Sequence, residues 1–311
     1  MTAQEKNTTI RYSGVSWQVI ENPEKESLEK LQKKYRFHEL DIEDCLSNIQ
    51  RPKIDEYDKY LFIVLHVPQS IGRGEKKHIR TSEVKIFIGK DYLITIHNGN
   101  KALDKILDKV KSKLKAKKEY MGLGTGYMLY MLVDHLFDSC LPLLDELSEQ
   151  VKELEDEVFE MDYTKDRLKD ILILKNDLIN FRRIIMPQRA VVAQLEHKNK
   201  KFIPEKLDLY FDDIVDNIEK IWNNIGNLQE LASSIQDTNE SIISHNTNKV
   251  IKALTIMSVV MLPLTFITGF YGMNVTGLPY ADGETSMMFV GGVLVVVSIV
   301  MIAFFKLKKW L

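Results

Sequence analysis

Residues 248–274 read NKVIKALTIMSVVMLPLTFITGFYGMN, and residues 287–305 read MMFVGGVLVVVSIVMIAFF. The uncharged stretches within them, 253–270 and 287–305, contain 18 and 19 residues. At about 1.5 Å rise per residue each helix would be roughly 27 Å long, close to the ~30 Å hydrocarbon core of a bilayer. The alternative is a buried hairpin in a soluble core, but such a core rarely contains two runs of this length. Both stretches are therefore predicted to cross a membrane.

Charge is distributed unevenly around the two spans. The flanking lysines, named here the basic collar, are Lys249, Lys252, Lys306, Lys308 and Lys309. The linker 275–286 instead carries Asp282 and Glu284 and no Lys or Arg. The positive-inside rule therefore places both chain ends in the cytoplasm and the linker outside, as in a multi-pass protein of the cell membrane. Topology and lipid anchoring account for most of the collar, with Trp310 as an interfacial aromatic anchor.

Composition limits the function of the remaining chain. Charged residues make up 28% of the 311 residues and the net charge is −2, which gives no case for nucleic-acid binding. The two cysteines, Cys45 and Cys140, have neither a disulfide framework nor zinc spacing. No nucleotide-binding loop, HExxH motif, nucleophile elbow or paired catalytic acids occur, so no enzyme activity and no organic cofactor are expected.

The first hundred residues alternate strand and helix patterns, which predicts an α/β domain. The predicted strands are 13–20, 60–67, 84–88 and 92–97, the last two forming a hairpin around Gly89, and the predicted helices are 26–35 and 39–48. We expect the second helix to be capped near Asp41.

Long helices follow the α/β region. Residues 101–118 form an amphipathic pattern with Leu103, Ile106, Leu107, Val110 and Leu114 on one face and lysines on the other. This pattern fits a packed helix with a solvated lysine face better than a membrane-surface helix. Residues 127–161 and 164–197 predict two long helices, antiparallel because their connection is short.

A heptad seam then leads into the first span. Its members are Leu207, Phe211, Ile214, Ile218, Ile221, Ile225, Leu228, Ala232, Ile235, Asn239, Ile242 and Asn246. The alternating spacing of four and three predicts a helix that packs against copies of itself or against neighbouring helices. One helix from about residue 205 to 270 would be roughly 100 Å long.

Two transmembrane helices cannot enclose a pore, so conduction would require a ring of subunits. The first span contains Ser258, Thr255, Thr265 and Thr268, whereas the second is almost purely aliphatic apart from Gly291, Gly292 and Ser298. A pore-lining helix is expected to be the more polar of two spans, although small and hydroxyl residues also serve helix packing. The two glycines are expected to allow close approach to the first span.

Four stretches together resemble the CorA family of magnesium transporters. They are YGMN at 271–274 directly after the first span, NIQRPKIDEYDKYLFIVL, LKNDLINFRRIIMPQRAVVAQL and YFDDIVDNIEKI. The resemblance covers nearly the whole chain, except for weak similarity before residue 25 and in 68–82. It implies a funnel-shaped homopentamer in the bilayer, with the first span lining a cation pore and the second forming an outer ring.

The resemblance also implies roles for residues of the membrane region. The mouth would be formed by Gly272, Met273 and Asn274, and the pore would be lined by Asn248, Ile251, Leu254, Ser258, Leu262, Thr265 and Gly269. Mg²⁺ holds its octahedral water shell tightly, so a ring of Asn274 carbonyls would accept hydrogen bonds from the bound waters rather than strip them. Asp282 and Glu284 would raise the cation concentration at the mouth.

By the same resemblance, Mg²⁺ would also regulate the protein from the cytoplasm. The carboxylates carried over are Glu43, Asp44, Asp134 and Asp213, with Asp212 and Asp216 as nearby alternatives. Bound between subunits, Mg²⁺ would bridge these groups and hold the ring closed, whereas their mutual repulsion would loosen it in the absence of the ion.

The sequence thus predicts a fold and a function. The predicted regions are 1–120 as the cytoplasmic α/β domain, 121–202 as an antiparallel helix pair, 203–252 as the stalk, 253–270 and 287–305 as the spans, 271–286 as the extracellular loop and 306–311 as the basic tail. The predicted function is uptake of Mg²⁺, with Co²⁺ and Ni²⁺ as further candidates, down the electrochemical gradient. The alternatives are a zinc transporter of the same superfamily and a non-conducting stalked scaffold or sensor.

Overall fold

The computed structural model describes residues 5–47, 50–72, 77–159, 167–197, 201–273, 285–308 and 310. The chain divides into two compact units, 1–236 and 237–311. The strands are β1 (Lys6–Tyr12), β2 (Val15–Glu21), β3 (Lys53–Glu56), β4 (Leu61–Ile71), β5 (His78–Ile88) and β6 (Tyr92–His97). The helices are α1 (Lys25–Tyr35), α2 (Glu39–Leu46), α3 (Lys101–Ser112), α4 (Leu114–Met121), α5 (Thr125–Asp138), α6 (Leu141–Phe159), α7 (Arg167–His197), α8 (Asp208–Tyr271) and α9 (Thr285–Leu307).

The six strands form one sheet in the order β1-β2-β6-β5-β4-β3. All neighbours are antiparallel except β2 and β6, which are parallel. One face of the sheet packs against α1 and α2 through a core that contains Leu28, Phe37, Phe62 and Phe87. Such apolar burial is the dominant stabilising contribution for the α/β domain, which the sequence predicted.

The first strand was missed by the sequence analysis. Residues 13–20 were assigned to a single strand, but β1 and β2 form a hairpin whose turn contains Ser13 and Gly14, both at positive φ. The strand β1 reads KNTTIRY and lies mostly exposed at the sheet edge, so it lacks the apolar alternation of a half-buried strand.

The predicted cap of α2 was also wrong. His38 is the residue that caps α2, because its side chain accepts a hydrogen bond from the Leu40 N–H. Asp41 is instead buried, at 1% exposure, and accepts hydrogen bonds from the hydroxyls of Tyr57 and Tyr60. Burial raises the pKa of Asp41, although the two tyrosine hydroxyls stabilise its charged form.

Two predicted helices are each broken into two. Residues 101–118 form α3 and the start of α4, with extended backbone at Lys113, and Leu114 is 71% exposed instead of sharing the buried face. Residues 127–161 contain α5 and α6, separated at Ser139 and Cys140. Pro142 lies in the first turn of α6, where a missing N–H leaves no helical hydrogen bond unmade, so it suits the start of a new helix.

The helix α7 crosses the part of the β4–β5 hairpin that extends beyond the rest of the sheet. The Gln188 side chain accepts a hydrogen bond from the His66 N–H of β4, at 3.0 Å. Asp177 Oδ1 accepts one from the Ile79 N–H of β5, also at 3.0 Å. Gln188 and Asp177 are 0% and 8% exposed, so these side chains satisfy buried backbone donors in place of a further strand.

The heptad seam of α8 is buried within one chain from Leu207 to Ile235. The adjacent helix α7 contributes Lys175, which donates to Gln236, and Arg182, which donates to Gln229 and stacks on Trp222. Of the two alternatives that the heptad spacing left open, packing against neighbouring helices of the same chain accounts for the seam as far as Ile235. The later members Asn239, Ile242 and Asn246 are half-buried.

The second unit contains the later part of α8 and all of α9, both long and apolar enough to cross a membrane. Half-buried residues recur along one face of each helix, such as Val260, Leu264 and Ile267 of α8 and Leu294 of α9. Gly291 and Gly292 are exposed, and a Cβ at either would meet no atom within 4 Å. Their expected role in close approach to the first span is therefore wrong for the single chain.

Replacing Gln188 with Leu should destabilise the first unit by about 1–3 kcal/mol, because the His66 N–H would stay buried without an acceptor. Thermal unfolding of the purified chain, followed by circular dichroism, measures the effect. Gln194→Leu is the matched control, since Gln194 donates to the Ala190 carbonyl one turn earlier on the same helix. Equal melting points for the two variants would contradict this role of Gln188.

Candidate functional site

The predicted pore residues lie on one face of α8. Asn248, Ile251, Leu254, Ser258, Leu262, Thr265 and Gly269 are all exposed in the single chain. Leu262 is 70% exposed and Leu254 is 64% exposed. This face is therefore left uncovered by the chain itself, whereas the half-buried residues of α8 lie on the other side.

The hydroxyls of this face bond to the helix that carries them. Ser258 donates to the Leu254 carbonyl and Thr265 to the Met261 carbonyl, both at 2.9 Å. Because each hydroxyl has a single hydrogen, its free side is left with acceptor lone pairs only. An oxygen of this kind suits a cation or the hydrogens of its bound water.

Of the Gly-Met-Asn motif at the predicted mouth, the structure describes Gly272 and Met273. α8 ends at Tyr271, and the Gly272 N–H donates to the Thr268 carbonyl at 2.9 Å. Gly272 and Met273 are exposed. Asn274, the loop residues Asp282 and Glu284, and Lys309 of the basic collar lie outside the described residues.

Of the remaining collar lysines, Lys249 and Lys252 precede the first span, and Lys306 and Lys308 follow the second. Lys249, Lys306 and Lys308 are exposed. Lys252 is half-buried, and its ammonium lies 5.9 Å from the centre of the Trp310 ring. This cation–π contact connects α8 to the residues that follow α9.

Of the predicted regulatory carboxylates, Glu43 and Asp44 lie at the end of α2. Glu43 is exposed, whereas Asp44 forms an ion pair of 2.8 Å with Lys53 at the start of β3. Lys53 also contacts Asp55 at 2.5 Å. Burial opposes the charge on Lys53, but its hydrogen bonds to Asp44 and Asp55 raise its pKa above the usual value. A cation at Asp44 must therefore compete with a bound ammonium group.

The other pair, Asp134 of α5 and Asp213 of α8, is brought together by the fold. The side chain of Asp134 is 23% exposed and that of Asp213 lies at the surface. Burial raises the pKa of Asp134, and the negative charges of Asp138 and Asp213 raise it further, while His135 acts in the opposite direction. A cation placed here would relieve both the repulsion and the burial penalty.

The negative charges of Asp134 and Asp213 also affect Tyr130. Burial, followed by the charges of Asp134 and Asp213, raises the pKa of its phenol to about 12. Its ring lies 4.9 Å from the ring of Tyr210, which is three residues before Asp213 in α8. The phenol therefore stays protonated and can donate a hydrogen bond near the two carboxylates.

No group of three or more metal-ligating side chains occurs among the described residues. One chain thus brings together Asp134 and Asp213, but within the described residues this pair forms no ligand group with Glu43 and Asp44. Sequence reasoning missed Asp138, which the spacing of four from Asp134 would have indicated. It also missed Lys53, which stands in the quoted stretch QRPK, because the partner of a lysine depends on tertiary structure.

Comparison with known proteins supports one family. Residues 12–309 match the family model described as CorA-like Mg2+ transporter protein. YfjQ of Bacillus subtilis (strain 168) is 30% identical over 307 residues, which cover 97% of this chain and 92% of that protein. The cobalt/magnesium transport protein CorA of Thermotoga maritima is 29% identical over 282 residues, covering 89% of this chain and 78% of that protein.

A solved structure has the same fold. The complete structure of the CorA magnesium transporter from Methanocaldococcus jannaschii matches with a TM-score of 0.82 and 23% identity, covering 97% of this chain and 94% of that chain. It matches the α/β domain, the long helix and the two C-terminal candidate spans together. The chain therefore belongs to the CorA-like Mg²⁺ transporter family and is a membrane transporter of divalent cations.

Proposed function

We propose that five copies of this chain form a channel through which Mg²⁺ enters the cytoplasm down its electrochemical gradient. The observation that carries the proposal is the uncovered face of α8, which holds all seven predicted pore residues and ends at the Gly-Met-Asn motif. Packed around a five-fold axis, these faces would line a pore and α9 would face lipid. Both chain ends would lie in the cytoplasm and the loop outside the cell membrane, as the basic collar favours.

Selection would occur at the mouth. Five neutral Asn274 side chains would accept hydrogen bonds from the water shell of Mg²⁺ and so select a hydrated ion by size. Asp282 and Glu284 would concentrate cations outside without binding them tightly. The name of the Thermotoga relative includes cobalt, which supports Co²⁺ as a second substrate, and Ni²⁺ is a third candidate.

The pore would close at its apolar positions. Leu262 and Ile251, at 70% and 55% exposure in the single chain, would form rings that exclude water when the helices approach. Ser258 lies between these rings, and Thr265 lies beyond Leu262 toward the mouth. Their acceptor oxygens would hold a hydrated cation on either side of the Leu262 constriction.

Cytoplasmic Mg²⁺ would hold the closed state. Asp134 and Asp213 of one subunit supply too few ligands for an octahedral ion, so the proposal requires Glu43 and Asp44 of a neighbouring subunit or bound water. Mg²⁺ would replace Lys53 on Asp44 and relieve the repulsion around Asp134. Loss of the ion would restore that repulsion and favour opening.

Asn274→Ala should lower Mg²⁺ flux into proteoliposomes by about tenfold or more, because five acceptors for the hydrated ion would be lost together. Flux is measured with a Mg²⁺-sensitive dye, in parallel with Co²⁺, Ni²⁺ and Zn²⁺. Thr276→Ala in the same loop is the control. Wild-type flux in the Asn274 variant would refute the mouth, preferential Zn²⁺ flux would favour a zinc transporter, and absence of all flux from purified protein would favour a scaffold.

The double variant Asp134→Asn/Asp213→Asn should require about tenfold more internal Mg²⁺ for half-inhibition of flux. The reason is the loss of two carboxylate ligands that would stabilise the closed state. Glu230→Gln/Asp237→Asn, at two exposed positions of α8, removes the same charge and is the control. An unchanged inhibition curve in the double variant would rule out this cluster as the regulatory site.

Mg²⁺ should protect the wild-type chain from thermal unfolding less as pH falls. The pKa of Asp134 is raised in the fold, so protonation at this group begins above the usual range of a carboxylate and competes with Mg²⁺. Protonation of Asp134 itself favours the folded chain as pH falls. The quantity to compare is therefore the increase in melting temperature that Mg²⁺ adds at each pH. Asp134→Asn should remove most of this pH dependence, whereas Asp145→Asn on the exposed face of α6 should retain it.

A further inference from the structure

A groove in the first unit has no role in the proposed conduction. It lies between α6, α7 and the end of the β4–β5 hairpin, and its volume is about 820 Å³. Its apolar floor is formed by Ile79, Leu143, Leu147, Leu154, Ile173 and Leu174. A groove of this size falls within the range of small-molecule sites.

The walls of the groove are acidic. They contain the carboxylates of Glu146, Glu153, Glu157, Asp170 and Asp177, together with Lys77, Lys169 and His78. The carboxylates therefore outnumber the two lysine ammonium groups by three. An excess of negative charge above an apolar floor favours a ligand that is both cationic and partly hydrocarbon.

Two contacts within the groove already join a basic side chain to a carboxylate. The Lys77 ammonium already lies 2.6 Å from Glu146, so the wall accepts a primary ammonium group. Asp177 is 8% exposed, and its Oδ1 accepts the Ile79 N–H and lies 3.9 Å from His78 Nδ1. Its Oδ2 has no hydrogen-bond donor within the described part of the chain, although Asp177 lines the groove.

We propose that this groove binds a linear polyamine. Along α6, Glu146, Glu153 and Glu157 are separated by about 10.5 Å and 6 Å of helix rise, and these intervals suit ammonium groups joined by short methylene chains. The methylenes would cover the leucines of the floor, and the ammonium groups would reach Asp170 and Asp177 on the opposite wall. A single Mg²⁺ ion would gain nothing from the floor, since it keeps its waters and takes oxygen ligands only.

The test is calorimetric titration of the full chain in a neutral detergent with spermidine, spermine, putrescine and MgCl₂. Affinity should rise with the number of ammonium groups and fall as salt is added. Glu153→Gln/Asp170→Asn should weaken spermidine binding about tenfold, given the modest contribution of each partly exposed pair. Glu149→Gln/Glu155→Gln removes the same charge from exposed positions of α6 outside the groove and should leave binding unchanged.

Two further variants separate this site from general attraction to negative charge. Lys77→Gln should tighten spermidine binding about threefold, because it removes a competing ammonium group from Glu146. Leu154→Asn should weaken spermine binding without changing the net charge. Equal weakening by the groove and control double variants, or no binding of spermidine by the wild-type chain, would overturn the proposal.

Mg²⁺ provides the remaining control. Binding of MgCl₂ with the same dependence on Glu153 and Asp170, and full displacement of spermidine by it, would also overturn the proposal, since the groove would then be a metal site. The measurement does not depend on conduction. An Asn274→Ala chain, whose Mg²⁺ flux is expected to be reduced, should still bind spermidine with unchanged affinity.

Discussion

Within the hydrocarbon of a bilayer, a backbone N–H or C=O finds no water and must be satisfied inside its own segment. This constraint explains why both candidate spans are helices and why the hydroxyls of Ser258 and Thr265 bond back to carbonyls of α8. It also determines what α8 can offer to an ion. Its backbone is occupied except at the Val259 carbonyl, to which Pro263 has no N–H to donate, so that carbonyl, the side-chain lone pairs and the residues beyond Tyr271 remain available.

In the first unit, side chains instead of added strands satisfy backbone N–H groups that are buried away from water. Gln188 and Asp177 of α7 accept the N–H groups that the β4–β5 hairpin leaves unpaired. The same helix also contacts α8, because Arg182 donates to Gln229 and stacks on Trp222, and Lys175 donates to Gln236. The seam is thus buried within the chain as far as Ile235, and the subunit contacts that we propose use the uncovered face of α8 and the carboxylates around Asp134.

The two pairs of predicted regulatory carboxylates differ in their electrostatic state. Asp44 is compensated by Lys53, whereas Asp134 is partly buried beside Asp138 and Asp213. A divalent cation would gain more at Asp134, because it relieves existing repulsion there, and less at Asp44, where it must displace an ammonium group. In the regulation that we propose, Asp134 would contribute most of the binding energy, and Asp44 of a neighbouring subunit would contribute only when the subunits are close.

Much of this protein was determined by local sequence. The lengths of the apolar runs predicted both spans, the lysine asymmetry predicted their orientation, and the spacing of four and three predicted a seam that is buried through Ile235. Tertiary structure alone decided that the seam is covered by other segments of the same chain, that Asp41 is buried under two tyrosines and that Lys53 neutralises Asp44. The apolar periodicity of a helix indicates which of its faces is buried, because buried positions on each turn are usually apolar. The periodicity does not indicate which segment covers that face, since the partner of a buried face or of a charge depends on how distant segments of the chain meet.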